Sequence, residues 1–147
     1  MNWQEISATS HYRTAVIIQQ ELQKGNIEEA NNGIMELIEA LSRSEKRALK
    51  SQLTRLIAHI IKWKSQPEKR SRSWIATIYN ARREIRDIQK ETPSLTDNII
   101  LEMWEDCFDV ATLDAEGEMN KESEISKLSW KEVFEEEYRI KDNCSCR

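Results

Sequence analysis

Three glycines and two prolines punctuate a chain of 147 residues, and this scarcity of breakers constrains the fold more than any other feature. A sandwich or barrel needs many tight turns, which glycine and proline supply at low conformational cost. A chain this poor in both can instead run for long stretches as helix, where an interior glycine costs about 1 kcal/mol and a proline about 3. Charged residues make up 33% and apolar ones 39%, which suits helices with solvated outer faces around one core. The expected fold is all-α: a compact single-domain bundle of about five helices over residues 1–138, with 139–147 as a flexible tail.

Local signals divide the chain. Residues 12–23 carry Ala15, Val16, Ile18 and Leu22, and Lys24-Gly25-Asn26 follows as a stop. Asn26 with Glu29 has the spacing of a capping box, and the next helix sets Ile27, Ala30, Ile34, Leu37, Ile38 and Leu41 on one face. Ser42 with Glu45 repeats the signal before a core helix that carries Leu49, Leu53, Leu56, Ile57, Ile60, Ile61 and Trp63. Ser65-Gln66-Pro67-Glu68 repeats it again, so a basic helix is expected from Gln66 to Lys90, with Trp74, Ile78 and Ile85 on its apolar stripe. Thr92-Pro93 ends that helix. A further helix carries Leu95, Ile99, Ile100, Met103, Cys107, Val110 and Ala111 inward, residues 114–127 read as a loop, and Ser129 with Glu132 caps a short terminal helix.

Charge is unevenly spread. Residues 43–90 hold 14 Lys and Arg against 4 carboxylates, whereas residues 91–147 hold 6 against 16. The basic segment supports two readings. Arg70, Arg72, Arg82, Arg83 and Arg86 can form a phosphate-binding face on one helix, with Trp74 for base stacking. Alternatively they pair with the acidic helix Glu102 to Asp109, which the acidic overall balance favours.

No run approaches the ~20 apolar residues of a bilayer span, and the N-terminus lacks a basic segment followed by an apolar one. The expectation is a cytoplasmic protein with no membrane contact. Cys107, Cys144 and Cys146 are odd in number and lack the spacing of a disulfide framework, which suits a reducing compartment.

The run from Glu36 to Ile85 also resembles the bacterial domain-of-unknown-function family number twenty-nine. The resemblance rests on Ser44-Glu45-Lys46-Arg47, on Leu56 to Trp63, on Gln66-Pro67-Glu68 and on Arg70-Ser71-Arg72-Ser73-Trp74. It implies an all-helical domain spanning nearly the whole chain, and it implies no activity.

Chemical constellations are sparse. His59 is the one catalytic candidate, and as a general base it requires a carboxylate, for which Glu36 or Glu39 on an antiparallel neighbour is the expected source. No cysteine and histidine set has zinc spacing, the carboxylates lack the Glu-x-x-His of bundle di-iron sites, and three scattered glycines cannot form a phosphate loop. Neither metal nor cofactor is expected. The leading functional reading is a non-enzymatic protein interaction module, a homodimer or the partner of another protein, with exposed apolar residues such as Ile17 as contacts. A nucleic-acid-binding module and an enzyme centred on His59 are the alternatives.

Overall fold

The computed structural model describes residues 1–141. Among them no strand occurs, and the helices are α1 (Trp3–Thr9), α2 (His11–Gln23), α3 (Ile27–Ser65), α4 (Arg72–Glu91) and α5 (Asp97–Met119), with a 3₁₀ turn at Pro67–Lys69 and a π turn at Lys131–Glu135. Two compact units divide the chain, Met1–Arg47 and Ala48–Arg147, and the boundary falls inside α3.

Unit Met1–Arg47 begins with a helix that the segment reading did not anticipate. The Asn2 carboxamide oxygen accepts from the Glu5 amide at 3.2 Å while its Nδ2 donates to the Glu5 carboxylate at 3.1 Å, a reciprocal cap that starts α1. Ser10 then closes α1 and opens α2: its amide donates to the Ile6 carbonyl and its hydroxyl accepts from the Arg13 amide. Gly25, at φ 82, makes the turn into α3. The small core is Trp3, Ile18 and Ala30, with Ile6, Ile17 and Leu37 packed around it. Trp3 also donates its indole N–H to Glu29 at 2.6 Å, so the carboxylate expected to help cap α3 is held by the tryptophan instead.

The apolar face expected to be buried along the first half of α3 is mostly open. Ala30 is fully buried, but Ile27, Ile34, Ile38 and Leu41 are 63%, 40%, 61% and 43% exposed. The inward side of α3 here is the row Ala30, Gly33 and Ala40, whose small side chains let α1 and α2 approach closely. A second correction concerns Ser42-Arg43-Ser44-Glu45, which starts no new helix. The segment lies inside α3, because a cap is worth only about 1 kcal/mol and no glycine or proline follows Gly33 to interrupt the ladder before Pro67.

Unit Ala48–Arg147 holds the main core. Leu49, Leu53, Leu56, Ile57, Ile60, Ile61 and Trp63 of α3 meet Ile78, Ala81 and Ile85 of α4 and Ile100, Met103, Cys107, Ala111, Ala115 and Met119 of α5. The Ser65 to Glu68 signal yields only the 3₁₀ turn. The cap of α4 is Ser71, whose hydroxyl accepts from the Trp74 amide at 3.2 Å, so the helix opens at Arg72 and Trp74 is half-buried. Helix α5 continues through part of the expected loop, since Cys107, Ala111, Ala115 and Met119 keep a spacing of four, and it stops at Asn120 in the left-handed region at φ 56. The Ser129 and Glu132 box forms as read, with reciprocal bonds of 2.9 and 3.1 Å. It leads into the π turn, from which Val133 and Tyr138 are buried in the core.

Candidate functional site

The basic segment is where sequence reasoning placed most of its candidates, and the structure gives four of its five arginines partners within the fold. Arg70 donates Nε to the Trp63 carbonyl at 2.8 Å and lies over the Trp63 ring, 4.7 Å from its centroid. Arg82 donates to the carbonyls of Val133 and Glu132 at 2.8 and 3.4 Å, and its guanidinium sits 5.3 Å from the Tyr79 ring and 5.4 Å from Tyr138. Arg83 donates to the Asn80 carboxamide oxygen. Arg86 donates to Gln89 at 2.6 Å and to Asp97 at 2.9 Å, with its planar group over Phe134 and Trp130. Arg72, exposed in the first turn of α4, has no partner among the described residues.

These contacts share a purpose. A planar guanidinium can present its N–H edge to carbonyls while its face covers aromatic rings. Arg82 bonds the carbonyls of the segment around the π turn with its edge, and Arg86 covers the Trp130 and Phe134 rings of that segment with its face; Trp104, Trp130 and Phe134 form an aromatic cluster there. Tyr138 adds a second clasp: its amide donates to the Tyr79 hydroxyl at 3.1 Å and its own hydroxyl donates to the Glu132 carbonyl. Burial drives the Tyr138 phenol pKa well above its ordinary value.

The acidic helix does not neutralise the basic one in the expected way. Asp106 of α5 pairs with Lys50 of α3 at 3.9 Å, and Glu118 pairs with Lys62 of α3, while the α4 to α5 ion pair is Arg86 with Asp97 at the opening turn of α5. A hydrogen bond from Gln89, then those from Arg86, hold the Asp97 carboxyl below its usual range.

His59 is half-buried on α3. Its Nδ1 lies 3.0 Å from the Arg55 carbonyl one turn back, and Lys62 approaches Nε2 at 3.5 Å. If Nδ1 carries the proton, it donates to that carbonyl and Nε2 accepts from the ammonium. Burial lowers the imidazole pKa below 6.5, with Lys62 adding to the effect and the Arg55 carbonyl opposing it. Glu36 and Glu39, the carboxylates expected beside it, lie earlier on the same continuous helix rather than on an antiparallel neighbour. The nearest acid is Glu118, engaged by the buried Lys62, which also sits 5.3 Å from the Trp74 ring. The arrangement neutralises a buried lysine between a carboxylate, an imidazole lone pair and an indole face.

Cys107 is buried, its thiol donates toward the Lys50 carbonyl at 3.7 Å, and burial raises its pKa. Cys144 and Cys146 lie outside the described residues. Among the described residues no three or more His, Cys, Asp or Glu side chains gather as a metal site, and no helix is long and apolar enough to cross a membrane.

Sequence reasoning missed two surfaces in unit Met1–Arg47. One is the open row Ile27, Ile34, Ile38 and Leu41. The other is a cleft of about 320 Å³ where the α1–α2 junction faces Arg43, Ser44 and Arg47 of α3. The second left a faint signal, two arginines four apart, which the capping-box reading of the same residues absorbed.

A family model described as domain of unknown function DUF29 matches residues 12–139. No curated protein matches the chain, and no solved structure does.

Proposed function

The chain belongs to the DUF29 family, and from that premise we propose that it is a protein interaction module that pairs with a second copy of itself through the first half of α3. The observation that carries this reading is the open row Ile27, Ile34, Ile38 and Leu41. Its steps of seven, four and three residues are the 3.5-residue repeat along which two helices interlock side chains. Asn31 occupies the remaining position of the row, and a single polar residue in such a seam fixes register at some cost in stability. A row of large apolar side chains left in water is a surface in need of cover.

Charge selects the partner and its direction. Glu28 and Glu29 stand at the start of α3, and Lys46 follows Glu28 by about five turns on the same line of the helix. A parallel pairing would set Glu28 beside Glu28. An antiparallel pairing about a twofold axis near Glu36 sets Ile34 against Ile38 of the second copy and brings each Lys46 to the end of the row that carries Glu28 of the other.

The test is sedimentation equilibrium of the full chain across a concentration series. The wild-type protein is expected to dimerise and the double variant Ile34→Glu/Ile38→Glu to remain monomeric with unchanged helix content, because both positions are already exposed. Lys46→Glu should weaken the dimer, and adding Glu28→Lys should restore it. A monomeric wild type, or a double variant that dimerises as well as wild type, overturns the reading.

A further inference from the structure

The cleft at the α1–α2 junction has the donors of an anion site. Arg43 and Arg47, one turn apart on α3, line it together with the Ser44 hydroxyl. On the opposite wall are Ser10 and His11, where α2 begins. The Ser10 hydroxyl is already used, accepting from the Arg13 amide at 3.1 Å, and the Ser7 and Thr9 hydroxyls donate to carbonyls of their own helix. The amide of His11 has no acceptor among the described residues, as the first N–H groups of a helix lack one unless something outside the helix accepts from them. Glu39 reaches Arg43 at 3.8 Å from an exposed position, an interaction of little strength in water. Arg47 has no ion pair among the described residues.

We propose that this cleft binds a phosphate group. Two arginines and a serine of α3 line one space together with His11, whose imidazole and opening amide of α2 add further donors. That number of donors suits a tetrahedral anion with three or four acceptor oxygens better than a planar carboxylate with two. The cleft lies on the α1 side of α3 and the open apolar row does not line it, so phosphate binding and self-association are independent and can fail separately.

The experiment is a titration of the isotope-labelled full chain with inorganic phosphate, read from amide resonances. Saturable shifts are expected at His11, Tyr12 and residues 43–47. Affinity should fall at least about tenfold in Arg43→Gln and again in Arg47→Gln, since a hydrogen bond to a charged group is worth roughly a factor of ten or more. Arg72→Gln, an exposed arginine elsewhere, should bind like wild type, as should Ile34→Glu/Ile38→Glu. Absence of saturation in the wild type, or unchanged binding in the Arg43 and Arg47 variants, overturns the proposal. Glycerol phosphate and vesicles containing phosphatidic acid then separate a soluble phosphomonoester from a lipid headgroup. Retention of either, dependent on both arginines, supports the site, and retention of neither overturns it.

Discussion

Replacing Gly33 by alanine should destabilise unit Met1–Arg47, although the same change at a free helix position would stabilise it. A β-carbon at Gly33 would stand 2.7 Å from Cγ1 of Ile18 and 2.7 and 2.8 Å from two ring carbons of Trp3. These are not flexible ends that can swing aside. Trp3 and Ile18 are buried, and the Trp3 indole is tethered to Glu29. Alanine gains up to about 1 kcal/mol of helix propensity, whereas overpacking costs about 1 to 3 kcal/mol, and three contacts this short onto buried groups put Gly33 in the upper part of that range, about 2 to 3 kcal/mol. The net expectation is a loss of about 1 to 2 kcal/mol. Gly117 of α5 supplies the control, because nothing lies within 4 Å of its β-position; Gly117→Ala should stabilise by up to about 1 kcal/mol. Hydrogen exchange reads both locally. Protection of the amides around Gly33 should drop by roughly 5- to 30-fold in Gly33→Ala, the factor that 1 to 2 kcal/mol implies, and Gly117→Ala should leave them unchanged. Equal or higher protection in Gly33→Ala would refute the claim that close approach, not chance, explains this glycine.

Two further outcomes follow from the other unit. Arg82→Met keeps length but removes both donors to the Val133 and Glu132 carbonyls, so it should cost about 2 to 3 kcal/mol and speed limited proteolysis between Leu128 and Tyr138. Arg82→Lys should recover only part of that loss, since an ammonium cannot cover Tyr79 and Tyr138 with a planar face. For His59 the folded pKa lies below the ordinary 6.5, so the unfolded chain binds the extra proton first. Stability from this group is complete above pH 6.5 and falls as the pH drops through that value toward the folded pKa. Denaturant midpoints measured through this range should show a decline that His59→Gln flattens; an unchanged profile would remove His59 as its source.

Much of the local architecture could be read from residue pattern. The core face of α4, that of α5 apart from Val110 (expected inward but 45% exposed), the Gly25 turn and the reciprocal Ser129 and Glu132 cap all arise from spacing and side-chain chemistry within a few residues. The errors also share a cause. Asn26 with Glu29, Ser42 with Glu45 and Ser65 with Glu68 have the same spacing as Ser129 with Glu132, yet only the last closes as read. Glu29 has a better partner in the Trp3 indole, Ser42 and Glu45 sit in an uninterrupted helix, and Ser71 starts α4 in place of Ser65. A cap signal of about 1 kcal/mol reports an option, and the tertiary surroundings choose among options of similar energy.

The same division governs the candidate sites. Sequence by itself determined that the chain is all-helical, because breakers are scarce and apolar residues recur every three or four positions. It could not determine which stripe is buried. Ile34 and Ile38 look as inward as Ile57 and Ile61 by spacing, but the side of α3 at Ala30, Gly33 and Ala40, with Leu37 among them, accepts α1 and α2, which leaves Ile34 and Ile38 outside. Nor could it assign the arginines, whose charge is equally able to meet a phosphate or a backbone carbonyl. In the fold the Val133 and Glu132 carbonyls stand beside Arg82 and the Trp130 and Phe134 rings beside Arg86, all from distant parts of the sequence, and only a folded chain sets such partners beside one another.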